Sequence, residues 1–164
     1  MQYQIGSKVV YPMHGAGVIE AIEEREIMGK KQNYYIMRIP IGDMSVMVPM
    51  ETAEEIGLRD VIDESTADRV LEDFKNCQVD MDSNWNKRYR ENMTRIKSGN
   101  ISDVVYVVKN LMHRDKLRGL STGERKMLSN AKQILVSELV VAKSCTQQKI
   151  ERIMETIIEA ELAQ

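Results

Sequence analysis

The rhythm of apolar and polar positions changes once along the 164-residue chain, near residue 50. Residues 2–50 carry short apolar runs with β-branched and aromatic members, cut by Gly, Pro and Asp. Lys8-Val9-Val10-Tyr11 ends at Pro12, and Gly15-Ala16-Gly17 predicts a turn with two residues free to take positive φ. Residues 18–22 are strand-like and lead into a charged stretch at 23–26. Gly29-Lys30-Lys31-Gln32 interrupts the pattern before a further run at 34–39. Pro40 and Gly42-Asp43 make another turn ahead of Met44-Ser45-Val46-Met47-Val48, which Pro49 ends.

Strands this short, with turn residues at intervals of about ten, predict a small antiparallel β-barrel of Tudor or SH3 type. From residue 51 the period becomes helical. Ser65 or Thr66 is the expected cap of a helix with Ala67, Val70, Leu71 and Phe74 on one face. Residues 77–82 read as an extended linker. A basic helix follows over residues 84–98, capped by Asp82 or Ser83 and closed by Gly99. The next starts near Asn100, aligns Val104, Val105, Val108, Leu111 and Met112, and stops at Gly119 as a left-handed cap. Ser121-Thr122-Gly123-Glu124 has the form of a capping box, with the Glu124 carboxylate reaching back to the cap. It opens a helix directing Met127, Leu128, Ala131, Ile134, Leu135 and Leu139 inward, and a last helix buries Ile150, Ile153, Met154, Ile157 and Ile158. The expected fold class is α+β. A barrel domain covers residues 1–60, a helix and linker 61–83, and an all-helical domain 84–164.

Charge sharpens this division. The chain is −2 in total, yet residues 84–133 hold 12 Lys and Arg against four acids, leaving −10 on the rest. A +8 block inside an acidic chain is the electrostatic footprint of a polyanion partner, or a set of solvated helix faces. Two cysteines 68 positions apart, Cys77 and Cys145, give no disulfide framework and fit a reducing cytoplasm. No apolar run reaches the length of a membrane span, and the N-terminal residues have no signal-peptide pattern.

Little in the sequence points to catalysis. His14 and His113 have no Cys, Asp or Glu at metal-ligand spacing, and no glycine cluster matches a phosphate-binding loop. No enzyme activity, cofactor, metal or small-molecule substrate is expected. Trp85, the single tryptophan, stands apart. It opens the most basic helix and is followed by Lys87, Arg88, Tyr89 and Arg90. It is either a core anchor or a flat apolar wedge that enters a base step while neighbouring cations hold phosphates.

Three motifs resemble the CarD/CdnL family of transcriptional regulators. They are Lys8-Val9-Val10-Tyr11-Pro12-Met13-His14-Gly15-Ala16-Gly17-Val18-Ile19-Glu20-Ala21-Ile22, then Asn84-Trp85-Asn86-Lys87-Arg88-Tyr89-Arg90. The third is Arg118-Gly119-Leu120-Ser121-Thr122-Gly123-Glu124-Arg125-Lys126-Met127-Leu128. The resemblance spans essentially the whole chain in register. It implies a Tudor-like domain that binds the RNA polymerase β subunit, a fold shared with transcription-repair coupling factors. It also implies a helical domain that contacts promoter DNA at the upstream edge of the melted bubble, in the minor groove and with little sequence specificity. Trp85 matches the family wedge, Arg88 and Arg90 match basic positions beside it in one run with Lys87, and Arg125 and Lys126 match a second basic pair. Arg25 matches a polymerase-contacting arginine. At Met47 well-known members carry a basic residue, which implies a more apolar contact here. The implied protein is nucleoid-associated and stabilises the open promoter complex. Two rival readings are a DNA-binding module that works without polymerase and a protein–protein adaptor with Trp85 in its core.

Overall fold

In the computed structural model, which describes residues 3–164, five strands form one antiparallel sheet in the order β4-β3-β2-β1-β5. Gln2, where the β pattern was expected to begin, lies outside the described residues. The strands are β1 (Lys8–Tyr11), β2 (Gly15–Ile27), β3 (Lys30–Ile39), β4 (Met44–Pro49) and β5 (Arg59–Asp60), with a short helix α1 (Ala53–Ile56) before β5. β4 and β5 do not pair with each other, so the sheet is open rather than a closed barrel. β2 and β3 are longer than their apolar runs. The charged residues 23–26 continue β2, and the turn is only Met28-Gly29, at φ 53° and 80°. Positive φ at both central residues matches the right-handed twist of a hairpin. The expected Gly15–Gly17 turn is instead the start of β2; the chain reverses at residues 12–14, with Met13 at φ 71°.

A bulge between Ile19 and Ala21 resets β2. Ile19 pairs with Met37, and both are buried with Val9, Tyr35, Ile39, Val48 and Leu58 in the sheet core. Beyond the bulge, Ala21, Glu23 and Arg25 stand opposite Ile36, Tyr34 and Gln32. Strand alternation therefore places Arg25 on the sheet face away from the Met37 row.

The helical half consists of α2 (Glu64–Asn76), α3 (Trp85–Lys97), α4 (Ile101–Arg118), α5 (Thr122–Lys143) and α6 (Gln147–Leu162). All five contribute to one apolar core, including Ala67 and Phe74 of α2, Ile96 of α3, Leu111 of α4, Leu135 of α5 and Met154 of α6. Short polar side chains start the helices, as the backbone donors there require. Asp63 caps α2 by accepting from the Thr66 amide at 2.7 Å, in place of Ser65 or Thr66. Asn84, rather than Asp82 or Ser83, caps α3 through the Lys87 amide. Gly119 ends α4 at φ 77° and ψ 165°, an extended mirror-image conformation rather than the left-handed helical one.

One helix joins the halves. The Ala16 amide donates to Ser137 Oγ at 2.8 Å, and the side-chain amides of Asn130 and Gln133 donate to the carbonyls of Met13 and His14. Further along α5, Glu138 is 1% exposed and takes both ends of the Arg59 guanidinium at 2.8 Å, plus the Ile62 amide at 3.1 Å. Val141 closes the seam against Val10 and Ala16. Lys109 is a second buried charge. Its ammonium donates to the carbonyls of Phe74 and Lys75 at the end of α2 and lies 3.1 Å from a Glu161 carboxylate oxygen on α6.

Among the glycines, Gly17 has the closest backbone packed against it. A Cβ there would collide with the Arg38 carbonyl, 2.8 Å from its carbon and closer still to its oxygen. Backbone cannot swing away as a side-chain tip does. Gly17→Ala should lower the unfolding free energy by about 2 to 3 kcal/mol, read by chemical denaturation. A loss below about 0.5 kcal/mol would mean the strands separate freely at this point.

Candidate nucleic-acid interface

α3 and α5 begin side by side, aligned by two contacts between them and a ring stack along α3. Trp85 Nε1 donates to Ser121 Oγ at 3.1 Å. Trp85 stacks on Tyr89, one turn later, with ring centroids 5.0 Å apart and planes at 18°. Below them, Arg88 Nε and Nη2 donate to the two Glu124 oxygens at 2.7 and 2.9 Å, while Nη1 donates to the carbonyls of Asp82 and Ser83. Spacing explains the cluster: residues three and four apart share a helix face, so Trp85, Arg88 and Tyr89 meet Ser121 and Glu124 together.

Arg88 is 2% exposed. Its guanidinium is committed to Glu124 and two carbonyls, leaving no open face for a phosphate. Hydrogen bonding to the Glu124 carboxylate raises its pKa above the ordinary arginine value despite desolvation. The expected Arg88–DNA contact is therefore replaced by an internal role. Glu124 follows from the same fact. Its amide donates to Ser121 Oγ at 3.2 Å, but its carboxylate goes to Arg88, so only one half of the expected capping box forms.

The other expected DNA residues are exposed on α3 and α5. Trp85 is 41% exposed, and Lys87, Arg90, Arg125 and Lys126 all lie at the surface. Lys87 contacts Asp82 at 3.2 Å, and Arg125 donates to the Leu120 carbonyl at 3.1 Å. Of the 12 bases counted in residues 84–133, only Arg88 and Lys109 are buried, so ten remain at or near the surface. Two helix amino ends add partial positive charge beside them. An indole edge held on such a surface can enter a base step while cations meet the backbone.

The stretch 77–82 that reads as a linker is tied down. The Asp80 amide donates to Asn110 Oδ1, Tyr106 donates to the Asp80 carboxylate at 2.7 Å, and the Arg88 guanidinium gathers carbonyls 82 and 83. Burial, with that bond to Asp80, pushes the Tyr106 phenol up to about 12. The Asn84 amide and the Lys87 ammonium hold the Asp82 carboxyl below its usual range.

On the sheet, Arg25 and Met47 share a face. Met47 pairs with Ile36, which stands opposite Ala21, and Arg25 lies four residue pairs further toward the hairpin tip. Both are exposed, and Arg25 pairs with Glu23 at 2.6 Å.

Sequence reading misses Tyr89, Gly123 and the internal use of Arg88. Its one available signal is Arg88, Asn92 and Ile96 at successive i+4 steps, all buried. Removing one member of a buried ion pair strands the other. Arg88→Ala should thus lower the unfolding free energy by about 3 to 5 kcal/mol, and Arg88→Met with Glu124→Leu should recover more than half of it. Denaturant titration of the two variants checks this; equal losses in both would mean that the carbonyl contacts, not the ion pair, dominate.

Comparison with known proteins agrees in both halves. The family described as CarD-like/TRCF RID domain matches residues 3–62, and the one described as CarD, C-terminal domain, matches residues 69–155. The Bacillus subtilis (strain 168) protein YdeB, whose name assigns it to transcription, is 41% identical over 148 residues, 90% of this chain and 97% of YdeB. A solution NMR structure of the 72-residue N-terminal domain of Myxococcus xanthus CarD is 36% identical; it covers 36% of this chain and 79% of its own, with a TM-score of 0.32. With one family matched in each half and a relative similar along nearly its full length, the chain belongs to the CarD/CdnL family of transcriptional regulators.

Proposed function

We propose that this protein binds RNA polymerase through its sheet domain, at the β subunit, and stabilises the open promoter complex by setting Trp85 into distorted DNA at the upstream edge of the bubble. One observation carries the reading: Trp85 is exposed yet held by a hydrogen bond and a stack, where α3 meets α5, the two helices that carry the exposed Lys87, Arg90, Arg125 and Lys126. A core anchor would be enclosed, and an idle surface indole would have no stack and no hydrogen bond. No catalytic step is part of this function.

The energetics require little of the wedge. Melted and duplex promoter DNA exchange, and a protein shifts the balance only by preferring one of them. A preference of about 1.4 kcal/mol raises a small open fraction tenfold. Cations on phosphates add affinity without reading bases, and tethering to polymerase supplies high local concentration. Weak, sequence-tolerant and salt-sensitive DNA binding then suffices. Arg25 and Met47 mark the sheet face toward the polymerase, with Met47 giving an apolar contact.

Trp85→Ala separates wedge from core. The stack and the hydrogen bond set its expected stability cost at about 1 to 2 kcal/mol, short of the roughly 3 to 5 kcal/mol for a buried aromatic. Open-complex lifetime should fall strongly while β-subunit binding is unchanged. A loss of several kcal/mol with no separate effect on lifetime would return Trp85 to the core.

Arg25→Glu tests the other end. Its ion pair is exposed, so stability should move by less than about 0.5 kcal/mol. Binding to the β subunit, measured by pull-down or interferometry, should drop at least several-fold. Normal binding would remove Arg25 from the contact.

A further inference from the structure

We infer that Ser121 is a positioning residue for the Trp85 wedge, and that its hydroxyl selects the indole orientation presented to DNA. The inference rests on the wedge reading above and adds to it the group that presets the wedge. Stacking on Tyr89 fixes the plane of the indole but not which edge points outward. An indole turned by about 180° around its second side-chain torsion keeps its ring plane while exchanging its two edges, and that torsion is broad and roughly two-fold. Only one of the two orientations brings Nε1 to Ser121 Oγ, and that one is observed, at 3.1 Å.

The hydroxyl is itself fixed. Ser121 is the N-cap of α5, and its oxygen accepts from the Glu124 amide at 3.2 Å as well as from the indole. Both acceptor positions of one oxygen are thereby used. Glu124 is anchored in turn by Arg88, which lies one residue from Tyr89 on α3. The acceptor and the stacking ring are thus tied to one rigid pair of helix ends. Gly123 completes the seat. A Cβ there would touch Trp85 Cζ2 at 3.6 Å and Tyr89 Cε2 at 3.7 Å, so the glycine lies against the edges of both rings. An indole preset in this way loses less freedom on entering DNA than one that must be ordered there.

Trp85 is the chain's single tryptophan, so its fluorescence reports this site alone. Glycine is nearly as good an N-cap as serine, so Ser121→Gly removes the indole acceptor while largely sparing α5. Time-resolved anisotropy of the free full-length protein should show at least a twofold rise in the fast local component for Ser121→Gly. Open-complex lifetime with polymerase should fall about fivefold, the factor expected for one net hydrogen bond. Ser121→Thr, which keeps a hydroxyl and a cap, should restore both. Far-UV circular dichroism and the melting curve confirm that α5 stays formed. Unchanged indole mobility in Ser121→Gly overturns the inference. So does raised mobility with an unchanged lifetime while Trp85→Ala still shortens it, a result that leaves the wedge standing. If Trp85→Ala leaves the lifetime intact as well, the wedge reading itself falls.

Discussion

The buried ion pair between Arg88 and Glu124 is the constraint on which the candidate interface depends. Two charges taken out of water gain little net stability from each other. What they supply is geometry, because a bidentate fork tolerates few relative placements of the helices that carry it. Through it the start of α3 is locked to the start of α5. The same guanidinium draws in the carbonyls of residues 82 and 83, so the segment entering α3 is fixed by the group that fixes α5. The exposed indole is thus built on one of the least exposed side chains in the molecule.

α5 carries this order across the molecule. Its 22 residues span ~33 Å at 1.5 Å per residue. The first turn supports Trp85, and the middle and end hold the sheet through Asn130, Gln133, Ser137 and Glu138. Glu138 repeats in the seam the device used by Glu124 at the platform: a buried carboxylate whose two oxygens accept from one arginine of another element. Both acids lie on one helix, so the sheet and the indole platform are referred to a single rigid axis.

Much of this was legible in the residues. Pro12, Pro40 and Pro49 bound the strands close to where they end, and Asn100 and Ser121 begin helices where a short polar side chain can cap. Sequence period located the apolar faces of the helices. What escaped it shares a physical cause: partners far apart in the chain. A basic residue in a basic run reads as solvated, and nothing local says that Glu124, 36 residues on, will bury Arg88. Lys109 sits among valines and a leucine, but its charge hid the fact that it ends α2 and meets α6. The bulge after Ile19 depends on pairing with β3, and without it alternation would have aimed Arg25 at the core. The open sheet edge likewise depends on strand order, which turn residues do not encode.

The seam along α5 bears on how such a protein would find its place on DNA. Two domains on a slack tether would sample many positions and choose among them by base sequence. Here the hydrogen bonds of Ser137 and Asn130, and the fork of Arg59 on Glu138, leave the sheet face and the indole at a set separation. With the sheet anchored on polymerase, the molecule would act as a ruler, and the base step it reaches would be chosen by distance from the enzyme. Selectivity of that kind needs no sequence reading, and it would be lost by loosening a joint far from the DNA.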